Sequence, residues 1–139
     1  QVPRLSNAIR ERIALDALYL VGRAFRAGDD GVTVADIGRH TGIPTIAILP
    51  ILVSLEDAKL LKLTESEELL PGREMSRTRL AEILDIVRVY GETGSHRMPR
   101  WSPVVAKLGG QLDTAFIDVV GDRTLADLLD EAEAEEKSA

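Results

Sequence analysis

Apolar side chains recur every three to four residues from Leu5 to Ala27. Ile9, Ile13, Ala17, Leu20 and Ala24 form one stripe, and Leu18, Val21 and Phe25 widen it. The spacing predicts a long first helix buried on two sides. Gly28-Asp29-Asp30-Gly31 then ends it in a turn. From Thr33 to Leu55 the pattern shortens into two brief helices joined by a tight turn, a helix-turn-helix. Thr33 is placed to cap the first with Asp36 three residues on, Val34 and Ile37 face inward, and Gly42 supplies the turn. Pro44 suits the first position of the second helix, where Ile48, Leu52 and Leu55 point inward. The opposite face carries Ile46, Pro50 and Val53, with Leu49 beside them, so it is apolar outward as well.

Past this unit, Lys59–Thr64 and Leu69-Leu70 read as two short strands around the polar turn Glu65–Glu68, and Pro71-Gly72-Arg73 breaks the second strand. A helix-turn-helix followed by such a hairpin is a winged helix. Thr78 reads as the cap of a further helix with Leu80, Ile83, Leu84 and Val87 on its stripe and Gly91 as its stop. Glu92 to Pro103, with Gly94, Ser95, His96 and Pro99, has loop composition and marks the one internal boundary. Val105, Leu108, Leu112, Ala115, Phe116 and Val119 give another helical stripe, weakened by Gly109-Gly110. A last helix opens on the capping pair Thr124 and Asp127, buries Leu125, Leu128 and Leu129, and frays from Glu131 onward. The expectation is a mainly α protein: a winged-helix-like domain over residues 1–91, then a loop and C-terminal helices over 92–139 that pack on it or on a neighbouring chain.

Composition narrows the chemistry. The 139 residues suffice for one domain with its own core, and 45% are hydrophobic. The longest apolar run, Ile46–Val53, is far short of the roughly 18–20 residues that cross a bilayer. The absence of cysteine removes disulfides, thiolate metal sites and cysteine nucleophiles together. The start at Gln1, with no initiator methionine, reads as a piece of something longer. The net charge of −6 is unevenly spread: residues 1–72 carry 8 basic and 10 acidic side chains, 73–110 carry 7 and 4, and 111–139 carry 2 and 9. The basic surplus lies after the helix-turn-helix, whereas a duplex-binding domain places it around the reading helix. From Pro44 to Ala58 there is no Lys, Arg, Asn or Gln, and the hairpin tip is acidic where a minor-groove wing would carry Arg or Lys.

No catalytic, metal or cofactor constellation stands out. His40 and His96 are far apart and lack a partner at metal-ligand spacing, so a surface place and a loop place are the simpler readings. Asp29-Asp30 is a turn before it is a metal site, and Gly109-Gly110 lacks the lysine and third glycine of a phosphate-cradling loop. Trp101 reads as a core plug or a lid on a hydrophobic gap, ahead of a base-stacking platform. Arg73, Arg77, Arg79, Arg88, Arg97 and Arg100 form the one sizeable basic group. Its plain reading is a solvated edge paired with Glu74, Glu82, Asp85 and the acidic tail; the sharper one is contact with anionic head groups or nucleic acid. Arg4, Arg10, Arg12, Arg23 and Arg26 read as the solvated edge of the first helix, with a basic stripe beside membrane phosphates as the functional alternative. The outer face of the second short helix is either covered by the helices after Trp101 or is an interface.

The run Leu69-Leu70-Pro71-Gly72-Arg73-Glu74, then Arg77, then Leu80-Ala81-Glu82-Ile83-Leu84, resembles the cytoplasmic C-terminal region of the YihY/BrkB family. These are polytopic bacterial inner-membrane proteins long labelled ribonuclease BN. The likeness extends back through Ile43-Pro44 and Leu52 and forward to Thr124-Leu125-Ala126-Asp127-Leu128. It implies a winged-helix-like domain, soluble by itself, that follows a transmembrane bundle at the cytoplasmic face; that bundle is absent here. The ribonuclease label finds no residues here to activate water. The order of elements is also similar to Rrf2-type transcription regulators, though this chain lacks the cluster cysteines and the glycine-rich wing. The sequence therefore reads as a protein-interaction or regulatory domain, not catalytic by itself. Its expected partner is protein, a second copy included, with nucleic acid disfavoured. The alternative is a DNA-binding regulator of Rrf2 type using Arg73 to Arg100.

Overall fold

A computed structural model describes residues 4–89 and 99–139. The start at Gln1, the stop at Gly91, and the loop residues Gly94, Ser95, His96 and Arg97 lie outside them.

The long helix α1 (Asn7–Ala27) runs through the centre of the fold. Ser6 caps it by accepting from the Ile9 amide, two residues after the start that the spacing predicts. It ends on Gly28 at φ 71°, where the Asp29 amide reaches back to the Ala24 carbonyl, a closure that only a left-handed residue permits. Ile13, Ala14, Ala17, Leu18, Leu20 and Val21 are buried. Ile9 and Phe25, expected on the buried stripes, are exposed, because the elements packed on α1 cover its middle turns and leave its ends open.

A short strand β1 (Val32–Thr33) leads into α2 (Val34–Thr41), and α3 (Thr45–Asp57) follows the turn at Gly42. Strands β2 (Leu61–Leu63) and β3 (Glu68–Pro71) form the wing. The sheet has the antiparallel order β1-β3-β2, with Leu69 opposite both Val32 and Leu63. The strand β1 is additional to the two predicted, since two residues are too few to carry an alternating pattern. Gly72 closes the wing: a Cβ there would lie 2.5 Å from the Lys59 carbonyl oxygen.

A 3-10 turn (Met75–Arg77) precedes α4 (Leu80–Val89), and α5 (Pro103–Val120) and α6 (Leu125–Ser138) complete the order. Thr78 does not cap α4. It is buried, closes the 3-10 turn by donating its hydroxyl to the Glu74 carbonyl, and receives the Leu125 amide on its own carbonyl. Leu80, Ile83, Leu84 and Val87 of α4 and Leu125 and Leu129 of α6 enter the core against α1. Leu128 is half-buried at its edge. The acidic stretch after Glu131 does not fray but stays helical to Ser138. Thr124 and Asp127 form a reciprocal capping box there, and Arg26 of α1 holds Asp130 and Glu133. Helix α5 forms across Gly109-Gly110, yet Val120 is its one buried residue. Among the described residues no helix is long and apolar enough to cross a membrane.

Candidate functional site

The helix-turn-helix and the wing assemble one continuous surface. Helix α2 begins in a reciprocal capping box: the Thr33 amide donates to Asp36 Oδ2 at 2.9 Å, and the Asp36 amide donates to Thr33 Oγ1 at 3.1 Å. The Thr33 amide, then its hydroxyl and the Arg39 guanidinium, hold the Asp36 carboxyl below its ordinary range, against a smaller opposing effect of burial. Gly42 at φ 73° turns the chain, and Pro44 stands just outside α3 as its cap, one place earlier than predicted. Pro44 keeps an extended ψ of 138°, which a first helical residue would not have.

Ala47, Ile48, Ile51, Leu52 and Leu55 seat α3 on the core. Its other side is open: Ile46 is 59% exposed, Leu49 43% and Val53 46%. Pro50, inside the helix, is half-buried and cannot donate to the Ile46 carbonyl. The C-terminal helices do not cover these side chains. Leu63 of β2 extends the apolar surface onto the wing, and a groove of about 620 Å³ runs between Val34, Thr45, Ile46, Leu49, Leu63 and Glu67. Glu56 Oε2 accepts from the Leu63 amide at 2.8 Å and so fixes the wing relative to α3. Leu63 was not singled out from the sequence. The available signal was the alternation Leu61-Lys62-Leu63, which puts it on the strand face of buried Leu61.

The arginine group is divided among partners. Arg73 pairs with Glu82 at 2.7 Å, Arg79 with Asp122 at 3.5 Å, and Arg88 with Glu11 at 3.0 Å while lying 4.0 Å over the Phe116 ring. Two of these three partners differ from those read from the sequence, since proximity through the fold, not along the chain, chooses them. Arg77 and Arg100 make no ion pair among the described residues, and Arg97 lies outside them. On α1, Arg26 is held by Asp130 and Glu133, which keeps its pKa above the ordinary value, and Arg23 lies over Tyr19. His40 Nε2 meets Asp16 Oδ2 at 3.3 Å across α2 and α1. Trp101 is neither plug nor lid but 65% exposed. Among the described residues no three or more His, Cys, Asp or Glu side chains gather to hold a metal ion.

Comparison with known proteins agrees with both resemblances read from the sequence. No family model matches the chain. Over 115 residues, 79% of this chain, it is 34% identical to a UPF0761 membrane protein of Rhodospirillum rubrum, a protein of YihY/BrkB type. The chain spans 26% of that protein's length. Among solved structures, IscR of T. potens superimposes with a TM-score of 0.70 at 18% identity, over 96% of this chain and 90% of its own. CymR, the global cysteine regulator of B. subtilis, gives 0.67 at 16% identity, over 93% and 98%. The oxidized form of Staphylococcus aureus CymR gives 0.69 at 12% identity, over 90% and 96%. At such identities these Rrf2-type neighbours establish the winged-helix fold and nothing finer.

Proposed function

We propose that this chain is a winged-helix interaction domain of a polytopic bacterial inner-membrane protein, at its cytoplasmic face, and that its α3 surface receives protein instead of duplex DNA. The observation that carries the reading is the exposure of Ile46, Leu49 and Val53 on the helix that would enter a major groove. Base edges are read by polar side chains, and an apolar helix face set beside acidic Glu65 and Glu67 is mismatched to phosphate. It is matched to another protein's apolar surface, where a contiguous patch of this kind is buried on association. The likeness to the Rhodospirillum rubrum membrane protein supports the location, and nothing in the reading requires catalysis by this domain.

The test is photocrosslinking from Leu49 in the full-length membrane protein. The expected result is a protein adduct that disappears with Ile46→Glu/Val53→Glu, while circular dichroism of the isolated chain is unchanged. A nucleic-acid adduct, or a protein adduct indifferent to the double substitution, overturns it.

A second reading, a DNA-binding regulator, is favoured by the fold of the solved neighbours and by Arg77, which is without an ion pair among the described residues. Duplex binding that weakens steeply with salt and is lost in Arg77→Glu/Arg79→Glu would establish it.

A further inference from the structure

The groove between α3 and the wing is apolar on its floor and acidic on its margin. Ile46 and Leu49 of α3 and Val34 of α2 meet Leu63 of β2 across it, and Glu67 at the wing tip closes one side. On α3 the exposed row Ile46, Leu49, Val53 reaches exposed Asp57 one turn later, so the apolar row ends on a carboxylate. Glu65 and Glu67, on either side of Ser66, are exposed as well. Asp57, Glu65 and Glu67 make no ion pair among the described residues. Glu56 is the acid that the fold itself uses here, through the Leu63 amide. The nearby bases, Lys59 and Lys62, do not line the groove, and Lys62 faces the other side of the strand from Leu63.

Glu67 is also held where a side chain is unfavourable. Its φ is 65°, in the tight turn where its amide donates to the Thr64 carbonyl at 3.0 Å, a place that glycine fills without strain. Hairpin closure does not call for a glutamate there, and its carboxylate is left to act on what enters the groove.

These features define the chemistry of the partner. The exposed row on α3 runs from residue 46 to residue 53, roughly 10 Å of helix, which suits anchors one and two turns apart on a partner helix. An acidic margin beside an apolar floor repels phosphate and acidic peptide alike, and favours a helix with Lys or Arg beside its apolar row. Cytoplasmic segments adjoining transmembrane helices carry an excess of Lys and Arg, so segments of this chemistry stand beside a domain at that face.

We propose that the α3 groove takes a basic amphipathic helix, its apolar row on Ile46, Leu49 and Leu63 and its cations against Glu65 and Glu67. This rests on the reading of α3 as a protein-docking surface and names the partner's chemistry.

Fluorescence anisotropy on the chain as it stands tests it. The probes are a labelled Leu/Lys peptide of about 15 residues patterned as an amphipathic helix, and the same peptide with Glu for each Lys. The Leu/Lys peptide is expected to bind at least roughly tenfold more tightly than the Leu/Glu one. Glu65→Gln/Glu67→Gly should weaken it by roughly fivefold and flatten its salt dependence. Ile46→Ala/Val53→Ala should weaken it by roughly tenfold with helicity retained, since both side chains are exposed. Glu135→Gln/Glu136→Gln on α6, exposed and remote from the groove, should leave it unchanged. Three results would each overturn the basic partner: equal binding of the two peptides, binding lost with the α6 acids and not with the wing acids, and no binding of the Leu/Lys peptide. The α3 reading itself is decided by the Leu49 adduct. A protein adduct there, together with equal binding of the two peptides, removes the charge preference and leaves the docking surface standing.

Discussion

The Leu125 amide donates to the Thr78 carbonyl at 2.8 Å, and through this bond the last helix is joined to the entrance of α4. The Leu80 amide answers by donating to the Arg123 carbonyl at 2.9 Å, so that Arg79 and Thr124 face each other as an isolated antiparallel bridge. The bridge lets α6 return across α1 after α5 has left the core.

Thr78→Val keeps the shape of the buried side chain and removes its hydroxyl bond to the Glu74 carbonyl. The Arg77 amide still donates to that carbonyl, so the loss is expected to be about 1 kcal/mol. Urea unfolding measures it, and faster hydrogen exchange at the Leu125 and Leu80 amides locates it at the bridge.

Gly22 of α1 packs closely against the 3-10 turn and α6. A Cβ there would meet Met75 Sδ at 2.9 Å and Leu129 Cδ1 at 3.2 Å. Gly22→Ala is expected to be close to neutral, because the flexible Met75 yields and alanine favours the helix by about 1 kcal/mol. Gly22→Leu overfills the site and should cost about 1–3 kcal/mol. Equal thermal melts for the two variants would contradict this packing.

Lys59 stands at φ 68° just past α3, where the Leu60 amide reaches the Leu55 carbonyl and the Lys59 amide reaches that of Glu56. This is the left-handed closure that glycine makes without strain. Lys59→Gly is expected to raise stability by about 0.5–1 kcal/mol in denaturant unfolding.

The capping box of α2 predicts part of the acid response. Asp36 has its pKa lowered in the folded state, first by the Thr33 amide. Its contribution is complete above the unfolded carboxylate value of about 3.9 and is lost as pH falls below that value through the lowered folded one. Asp36→Asn should flatten the stability curve from about pH 4 downward. Thr33→Ala, which removes the other half of the box, should cost about 1 kcal/mol at pH 7. Urea midpoints across this pH range decide both.

Local chemistry was sufficient for much of this fold. Thr33 with Asp36, and Thr124 with Asp127, announce their capping boxes because a reciprocal cap needs side chains three residues apart and nothing from elsewhere. Gly28 and Gly42 mark their turns for the same reason, and the inward stripe of α3 follows from helical period alone. The apolar outward face at Ile46, Leu49 and Val53 was also legible as a pattern. Only the tertiary structure decided that this face stays open, that Leu63 extends it, and that Arg88 pairs with Glu11 instead of a nearer acid. It likewise decided that Thr78 accepts the Leu125 amide beside the Arg79–Thr124 bridge and is not a helix cap, and that the stripe on α5 lies outside the core. Period and capping are set by neighbours within four residues along the chain. What covers a face, or pairs with a charge, is set by residues dozens of positions away, which a sequence pattern does not encode.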